Sequence, residues 1–531
     1  MNRRWLALGV LTLAVLLIGI DGTVLALATP FISRDLGATG TQILWIGDIY
    51  SFVLASLLIT MGSLGDRIGH KKLLLSGATL FAAVSALSAY APTAELLIAG
   101  RALQGVAGAT LAPATLALVR GLFPQARERT LAVGIWAAAF SAGAALGPIL
   151  GGILLEHFWW GSVFLINVPV MVVLVGSGLL LLPEYRNPAR GPWDLLSVGL
   201  SMVGILGVVY AIKETAALGL RAGLHADVVI AALAGIVALV VFVRRQLRLP
   251  SPLIDVRLFG NRAFSGVVGA NLLSVLGLSG LVFFLSQFFQ LVQGFSPLRA
   301  GLAELPAAVA ATIFGVLAGV AVRYWSKRAV LTTGLAMVGV AMATLTTIRP
   351  DTAYPQLGVA LFVVGVGLGL AFTVASDVIL ASVPRERAGA AAAVSETAYE
   401  LGMALGIATL GSIVTGVYRG FTAPAGTPAA VAAHAHDSLA GAVQASTMLP
   451  ADDAAALLDA ARATFTEGLA IAAGVGAVLM LTSALAVWIL LRDLPGRTEV
   501  GVLDDPAVHR DTRRDGGVDA AGGSELCNRH R

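Results

Sequence analysis

The chain of 531 residues is poor in charge and nearly free of cysteine. Asp, Glu, Lys and Arg supply 12% of its residues, against 57% apolar, where a soluble domain carries about 25% charged residues. So little charge cannot keep a surface in water, which excludes a soluble multi-domain enzyme and a disordered chain. A single cysteine, Cys527 in the polar C-terminal tail, excludes a disulfide framework and a thiolate metal cluster. The seven histidines stand at span ends, in loops or in the tail, so nothing inside the apolar stretches suits haem or zinc. His434 and His436 are spaced i, i+2 without a third ligand, and no metal site is expected. No Walker lysine loop and no nucleophile–histidine pair occurs within the apolar stretches, which argues against an ATP-driven pump and a membrane-embedded enzyme. The net charge of +4 is slight for this length, so no nucleic-acid partner is expected.

What is present is long apolar segments. With about 20 residues needed to cross hydrocarbon, fourteen spans are read near 6–29, 41–63, 73–91, 95–120, 131–155, 162–182, 195–212, 225–243, 264–290, 300–322, 329–347, 355–381, 388–417 and 464–491. The start resembles a signal peptide, and Ala26-Leu27-Ala28 mimics a cleavage site. The apolar run is nonetheless too long for a signal core and carries an acid, so cleavage is not expected. Of the 35 basic residues, 27 fall in the N-terminus, the even-to-odd loops and the tail, seven in the opposite loops, and Arg101 lies inside a span. The positive-inside rule then predicts both termini in the cytoplasm. The 418–463 segment is expected outside, as one or two short helices carrying Asp452, Asp453 and the pattern Ala456-Leu457-Leu458. The charged, Gly-rich tail 492–531 is expected to be disordered.

An internal repeat organises these spans. AFSAGAALG at 139–147 matches AYELGMALG at 398–406, an offset of 259, and 62–74 aligns loosely with 319–331 at offset 257. Spans 2 and 5 thus recur as spans 10 and 13. The domains expected are an N-terminal six-helix bundle (1–182), two inserted helices with cytoplasmic linkers (183–263) and a C-terminal six-helix bundle (264–491).

Short motifs add chemistry. Gly62-Ser-Leu-Gly-Asp66-Arg67-Ile-Gly69-His-Lys71-Lys72 packs glycines and charges into one tight connection. Asp66 there can meet a helix N-terminus or a basic side chain and so latch the two halves on one side. In span 5, Gly143, Gly147 and Gly151 repeat at i, i+4, i+8 on one face, which permits close helix contact, and Pro148 favours a kink. The first stretch resembles the signature of the major facilitator superfamily. Arg101, Gln104, Gly105 and Gly108 resemble its second motif, and Gly143 to Gly152 its antiporter motif. With Asp21-Gly-Thr-Val in span 1 and Phe164-Leu-Ile-Asn167-Val-Pro169 in span 6, the resemblance covers about residues 6–491. It is similar to the fourteen-span drug:proton antiporters, especially exporters of quaternary ammonium compounds and dyes. Many relatives have Trp-Arg-Trp where Trp160-Gly161-Ser162 stands here. The resemblance implies an all-α polytopic membrane protein of the major facilitator fold, with two six-helix bundles plus two inserted helices.

Ionised groups within a membrane cost about 2.5–3.5 kcal/mol each on insertion scales and are functional candidates by default. At 1.5 Å per residue, Asp21, Arg101 and Asp48 lie roughly 12, 9 and 10 Å from the outer ends of their spans, in one layer of the N-terminal half. Asp21 and Arg101 are the expected pair. Glu396 and Glu400 in span 13 are spaced i, i+4 and share a face. Their repeat counterparts in span 5 are Ala137 and Ser141, so the shared scaffold does not require the acids. Two carboxyls on one face away from water call for a neutralising partner, a proton or a cation, and competition between these is the minimum requirement for antiport. Glu304 and Asp377 lie about a turn inside span ends and are weaker candidates. Trp45, Tyr50, Trp136, Phe140, Phe288 and Tyr399 could line a cavity for flat cations.

The function expected is proton-coupled efflux of hydrophobic, often cationic compounds across a bacterial plasma membrane, with protons as the coupling ion, no other cofactor, and a monomer as the working unit. The alternatives are an exporter dedicated to one antibiotic or metabolite and, more distantly, a membrane sensor. Intramembrane acids outnumbering Arg101 favour cationic cargo.

Overall fold

The computed structural model describes residues 3–184, 194–218, 225–249, 252, 256–382 and 388–492; the tail from 493 onward, where disorder was expected, and most of the 183–194 linker lie outside the described residues. Helices follow the apolar segments closely. They run α1 (Arg3–Leu36), α2 (Gly40–Ile68), α3 (His70–Ala89), α4 (Ala94–Leu122), α5 (Ala126–His157), α6 (Ser162–Leu165), α7 (Asn167–Leu181), α8 (Leu195–Leu218), α9 (Ala226–Arg248), α10 (Arg262–Gln287), α11 (Pro297–Tyr324), α12 (Lys327–Thr344), α13 (Tyr354–Ala381), α14 (Ala388–Tyr418), α15 (Ala429–Asp437), α16 (Leu439–Ser446) and α17 (Ala451–Leu490). Fourteen stretches are long and apolar enough to cross a membrane, with α6 and α7 together making the sixth.

Local chemistry places the helix starts. Thr39 and Gln42 form a reciprocal capping box at α2, satisfying two otherwise orphaned donors. Ser296 caps α11, which opens on Pro297, and Ser326 caps α12. One expectation needs correction. The 418–463 segment does hold two short helices, α15 and α16, but Asp452, Asp453 and Ala456 to Leu458 belong to neither. They form the first turns of the last membrane helix, which continues unbroken for 40 residues.

Helix contacts display the internal repeat. In the first half α1 packs on α5, α2 on α4, and α3 on both α4 and α7. In the second, the equivalent pairs α10–α14, α11–α13, α12–α13 and α12–α17 recur. The halves meet along two seams that the repeat relates, α2 against α14 and α5 against α11. The inserted helices α8 and α9 pack on each other, and α8 also touches α2 and α14.

The apolar core is divided unevenly along the molecule. On the face away from the chain start, one continuous cluster runs through both halves, from Leu44 and Phe164 to Phe288, Leu361 and Phe465. Towards the face carrying Arg3, the halves have separate clusters, one around Phe81 and Leu118 and the other around Phe264 and Val374. Among the described residues, the two halves thus share one apolar core at the far face and have separate ones towards the near face.

Candidate transport site between the two halves

The charged layer of the first half is assembled by five helices. Asp21 of α1 and Arg101 of α4 are each 2% exposed and pair through Oδ2 and Nη1 at 2.9 Å. Asn167, opening α7, donates to the other Asp21 oxygen at 3.0 Å and to Ser85 Oγ of α3 at 3.3 Å. Gln104 donates to the same Ser85 at 2.8 Å and accepts from Arg101 Nη1 at 3.3 Å. Arg101 Nε reaches the Ile46 carbonyl at 3.4 Å, and its guanidinium lies 4.5 Å from the Tyr50 ring centre. A buried charge is tolerated when paired and hydrogen-bonded, and this pair is both. Asp48 is fully buried two residues beyond Ile46. Ser85 carried no signal in the sequence, whereas Asn167, an amide within an apolar run, could have been read as a buried donor.

Across the α2–α14 seam stands the second group. Glu400 is 5% exposed, lies against Ser51 of α2 and is within electrostatic range of Arg101. Its Oε2 is buried without a hydrogen-bond partner, as are Tyr50 Oη and Asn167 Oδ1. Buried polar atoms are normally paired, so the unpaired Glu400 Oε2 and Tyr50 Oη, on the two helices of this seam, mark a place equipped to bind. Tyr50, electrostatically coupled to Asp21, Arg101 and Glu400, links the two charged groups. Glu396 sits one turn away on α14 and also interacts with Glu400. Tyr399 meets Phe140 of α5 edge-on at 6.5 Å and Phe372 of α13 at 5.4 Å, so an aromatic bridge joins the halves beside the glutamates.

Other expected residues lie elsewhere. Trp45 packs on Tyr210 of the inserted α8 at 6.4 Å. Phe288 is fully buried in the far-face core and presents no surface to cargo. The Trp136 indole donates to Thr115 Oγ1 at 3.1 Å. Asp377 is 57% exposed and pairs with Lys327 at 2.7 Å, which makes it an interfacial charge. Glu304 lies against Ser286 of α10, with Oε1 buried and without a hydrogen-bond partner.

The glycine motifs act by close approach. A Cβ on Gly143 would strike the Leu16 carbonyl, and one on Gly147 the Thr23 hydroxyl, so the stripe seats α5 on α1. Pro148 cannot donate to Ala144; Thr23 of α1 donates its hydroxyl to that carbonyl instead, at 3.2 Å. The opposite side of the same turn touches the other half, where Gly152 comes within 2.6 Å of Leu298 once given a Cβ and Gly301 faces the Pro148 carbonyl. In the first motif, Asp66 bonds His70 at 3.0 Å within its own half. Glu184, after α7, accepts from the Lys71 amide at 3.2 Å and closes against Gly69, whose φ of +108° favours glycine. Glu184 was not foreseen from sequence, because its role appears only when α7 returns to the α2–α3 connection.

Residues 11–407 match the profile of the Major Facilitator Superfamily. The chain belongs to that superfamily. Within the superfamily it is 47% identical over 492 residues to the multidrug efflux pump LfrA of Mycolicibacterium smegmatis, covering 92% of this chain and 97% of that one. It is 39% identical over 497 residues to the methyl viologen resistance protein SmvA of Salmonella typhimurium, covering 92% and 99%. The crystal structure of a bacterial homologue of the human lysosomal transporter Spinster shares the major facilitator fold, with a TM-score of 0.66 at 16% identity over 93% of this chain and 98% of that one.

Proposed function

We propose that this chain is a proton-coupled multidrug exporter of hydrophobic cations, working as a monomer in a bacterial inner membrane with both termini cytoplasmic. The observation that carries the reading is the seam itself. Glu400, with an unpaired carboxylate oxygen, faces the buried Asp21–Arg101 pair across Tyr50. The names of the relatives, a multidrug efflux pump and a methyl viologen resistance protein, support cationic cargo. The basic residues gathered in alternate loops support the orientation. In that orientation the near face opens to the cytoplasm, where cargo is collected, and the sealed far face is the exit.

The chemistry is exchange at carboxylates. A cation entering from the cytoplasm displaces a proton from the Glu396–Glu400 pair and is held by its charge and by the Tyr50, Phe140 and Tyr399 rings. A proton arriving from the far side returns the pair to its neutral form and releases the cargo. Because proton and cation neutralise the same groups, the two exclude each other. Asp21, held between Arg101 and Asn167, couples through Tyr50: a change of charge at Glu400 alters the field on that pair. No resident cofactor is needed. One proton per monovalent cation is driven by the pH gradient alone; a second proton carried by the pair would add one net charge, worth about 2.3 kcal/mol per 100 mV.

The test is ethidium efflux from energised cells, with and without a protonophore, for the wild type, Glu400→Gln and Asp21→Asn. Efflux abolished by the protonophore and by Glu400→Gln is expected. A wild type that exports a neutral antibiotic but no cationic dye would replace this reading with a dedicated exporter.

A further inference from the structure

One acid within the spans takes no part in the exchange described above. Glu304 stands about 10 Å inside the outer end of α11 at 1.5 Å per residue. It lies against Ser286 of α10, and both its Oε1 and the Ser286 hydroxyl are buried without a hydrogen-bond partner. The side chains acting on Glu400 are Glu396, Ser51 and Arg101, so Glu304 is separate from that pair. Ionisable groups on the surrounding helices are engaged elsewhere. Arg299 of α11 lies over the Phe295 ring at 4.0 Å, and Tyr354 of α13 donates its hydroxyl to the Ala303 carbonyl at 3.2 Å. Arg34 and Asp35 at the end of α1 pair with each other at 2.8 Å, and Glu156 and His157 at the end of α5 are exposed. Lys327 and Arg328 open α12 at the opposite end of α11. Among the described residues, no basic side chain pairs with Glu304.

The same turns hold the two halves together. One turn beyond Ser286, Gln290 donates its amide to the Leu27 carbonyl of α1 at 3.2 Å. One turn before Glu304, Gly301 sits on the Pro148 carbonyl of α5. Both helices are also interrupted here. α10 passes into a π turn at Phe288–Val292, a geometry that recurs at functional sites, and Pro306 leaves the Leu302 carbonyl of α11 without its helical donor. Seating α10 on α1 and α11 on α5 therefore shuts the Glu304 carboxyl in with Ser286, and parting them lets water reach it. A neutral carboxyl can donate to the Ser286 hydroxyl, which satisfies both unpaired atoms. A charged one must shed its water with no cation to meet it, which is costly.

We infer that Glu304 is a second proton site, loaded from outside, whose protonation is the condition for the far face to close. The inference rests on the export reading and adds to it the step after cargo leaves. With the far face open, ionised Glu304 is hydrated and holds the exit apart. An external proton neutralises it, the carboxyl folds in against Ser286, and α10 and α11 seat on α1 and α5. The Glu396–Glu400 pair exchanges proton for cargo. Glu304 instead takes and returns its proton on the outer side, so it gates the return without adding to the protons moved. The return rate then follows the external proton concentration even where no gradient drives transport.

The experiment is ethidium exchange in proteoliposomes at equal pH inside and out, labelled ethidium outside against unlabelled inside, with protein-free liposomes subtracted. Exchange needs the far face to open and close but no net proton movement. Glu304→Gln fixes the neutral form in the same shape, and dividing wild-type rates by its rates cancels the pH dependence that both share at Glu396–Glu400. That ratio should fall about tenfold between roughly pH 6 and pH 9, because closing follows the protonated fraction. A constant ratio would overturn the proton site and leave the export reading standing. So would a folded Glu304→Gln that exchanges nothing at any pH, since the neutral form would then not suffice for closing. A wild type that exchanges no ethidium overturns the export reading and this inference with it. Because substitution at a buried contact can disturb folding, a second measurement keeps Glu304. Spin labels at Arg34→Cys and Arg299→Cys, on a Cys527→Ser background carrying Glu396→Gln and Glu400→Gln, report the spacing of α1 and α11 at the far face. Their long-distance fraction should grow severalfold over the same pH range, and no growth overturns the inference.

Discussion

Replacing Asp21 with Asn tests whether the Asp21–Arg101 pair acts as a switch or as packing. The exchange keeps the shape and one acceptor oxygen, so Asn167 can still be accommodated, but it removes the charge facing a guanidinium that is 2% exposed. Two charges about 4 Å apart at an effective dielectric of 20 interact by about 4 kcal/mol, and breaking one partner of a buried pair costs about 3–5 kcal/mol. Arg101 keeps the Tyr50 ring, the Ile46 carbonyl and Gln104, which offsets part of the loss, so about 3 kcal/mol of destabilisation is expected. Arg101→Gln should cost a similar amount, and the double variant much less than the sum, with a coupling energy near 3 kcal/mol. Reversible unfolding in mixed detergent micelles measures all four corners of the cycle. A coupling below about 1 kcal/mol would refute the reasoning that the pair is electrostatically closed. Transport supplies the second readout: the double variant should recover stability and remain inactive in proton-driven ethidium efflux. Recovery of efflux along with stability would reduce the pair to packing.

Three further outcomes follow from other contacts. Thr23→Val removes a side-chain donor to the Ala144 carbonyl and should cost about 0.6–1.5 kcal/mol; Pro148→Ala restores a backbone donor there, so the loss should shrink in the double variant, and strict additivity would argue against the substitution of one donor for the other. Gly69→Ala should destabilise by at least 1 kcal/mol, because φ is +108° and a Cβ strikes Glu184, and adding Glu184→Ala should recover only the steric part, as read by thermal unfolding. At the start of α8, partial burial works against the Asp194 charge, but hydrogen bonds from Arg245 and Ser197 outweigh it and hold the carboxyl below its ordinary range. A depressed carboxyl stabilises the fold above its unfolded value and loses that contribution as pH falls through the folded one, so the stability difference between wild type and Asp194→Asn should be full above roughly pH 4 and vanish in stronger acid.

Hydropathy made the spans legible because a lipid environment leaves the backbone few alternatives to the helix. The layer of Asp21, Asp48 and Arg101 was legible because buried charge is costly and stands out against apolar sequence. The partners were not. Ser85 is one serine among many, and its role as a shared acceptor for Gln104 and Asn167 arises from three helices meeting. His70 read as one of several basic residues at a membrane edge, yet it is buried and bonded to Asp66. Aromatic residues were the least predictable: Tyr50 and Trp45 stand five apart on α2, but one lies beneath Arg101 and the other against an inserted helix. That division follows from helix phase relative to α8, which no periodicity within α2 reveals.

The last helix has a consequence for observing this molecule at work. At 1.5 Å per residue its 40 residues reach about 60 Å, roughly twice the hydrocarbon thickness. Its outer turns therefore form a lever, held through α12 and α10 to the second half. A tilt of about 15°, the scale of known subunit rotations, swings a 30 Å arm by roughly 8 Å at the tip. A spin label or dye at Asp452 thus converts small rocking near the membrane centre into a displacement that distance spectroscopy resolves.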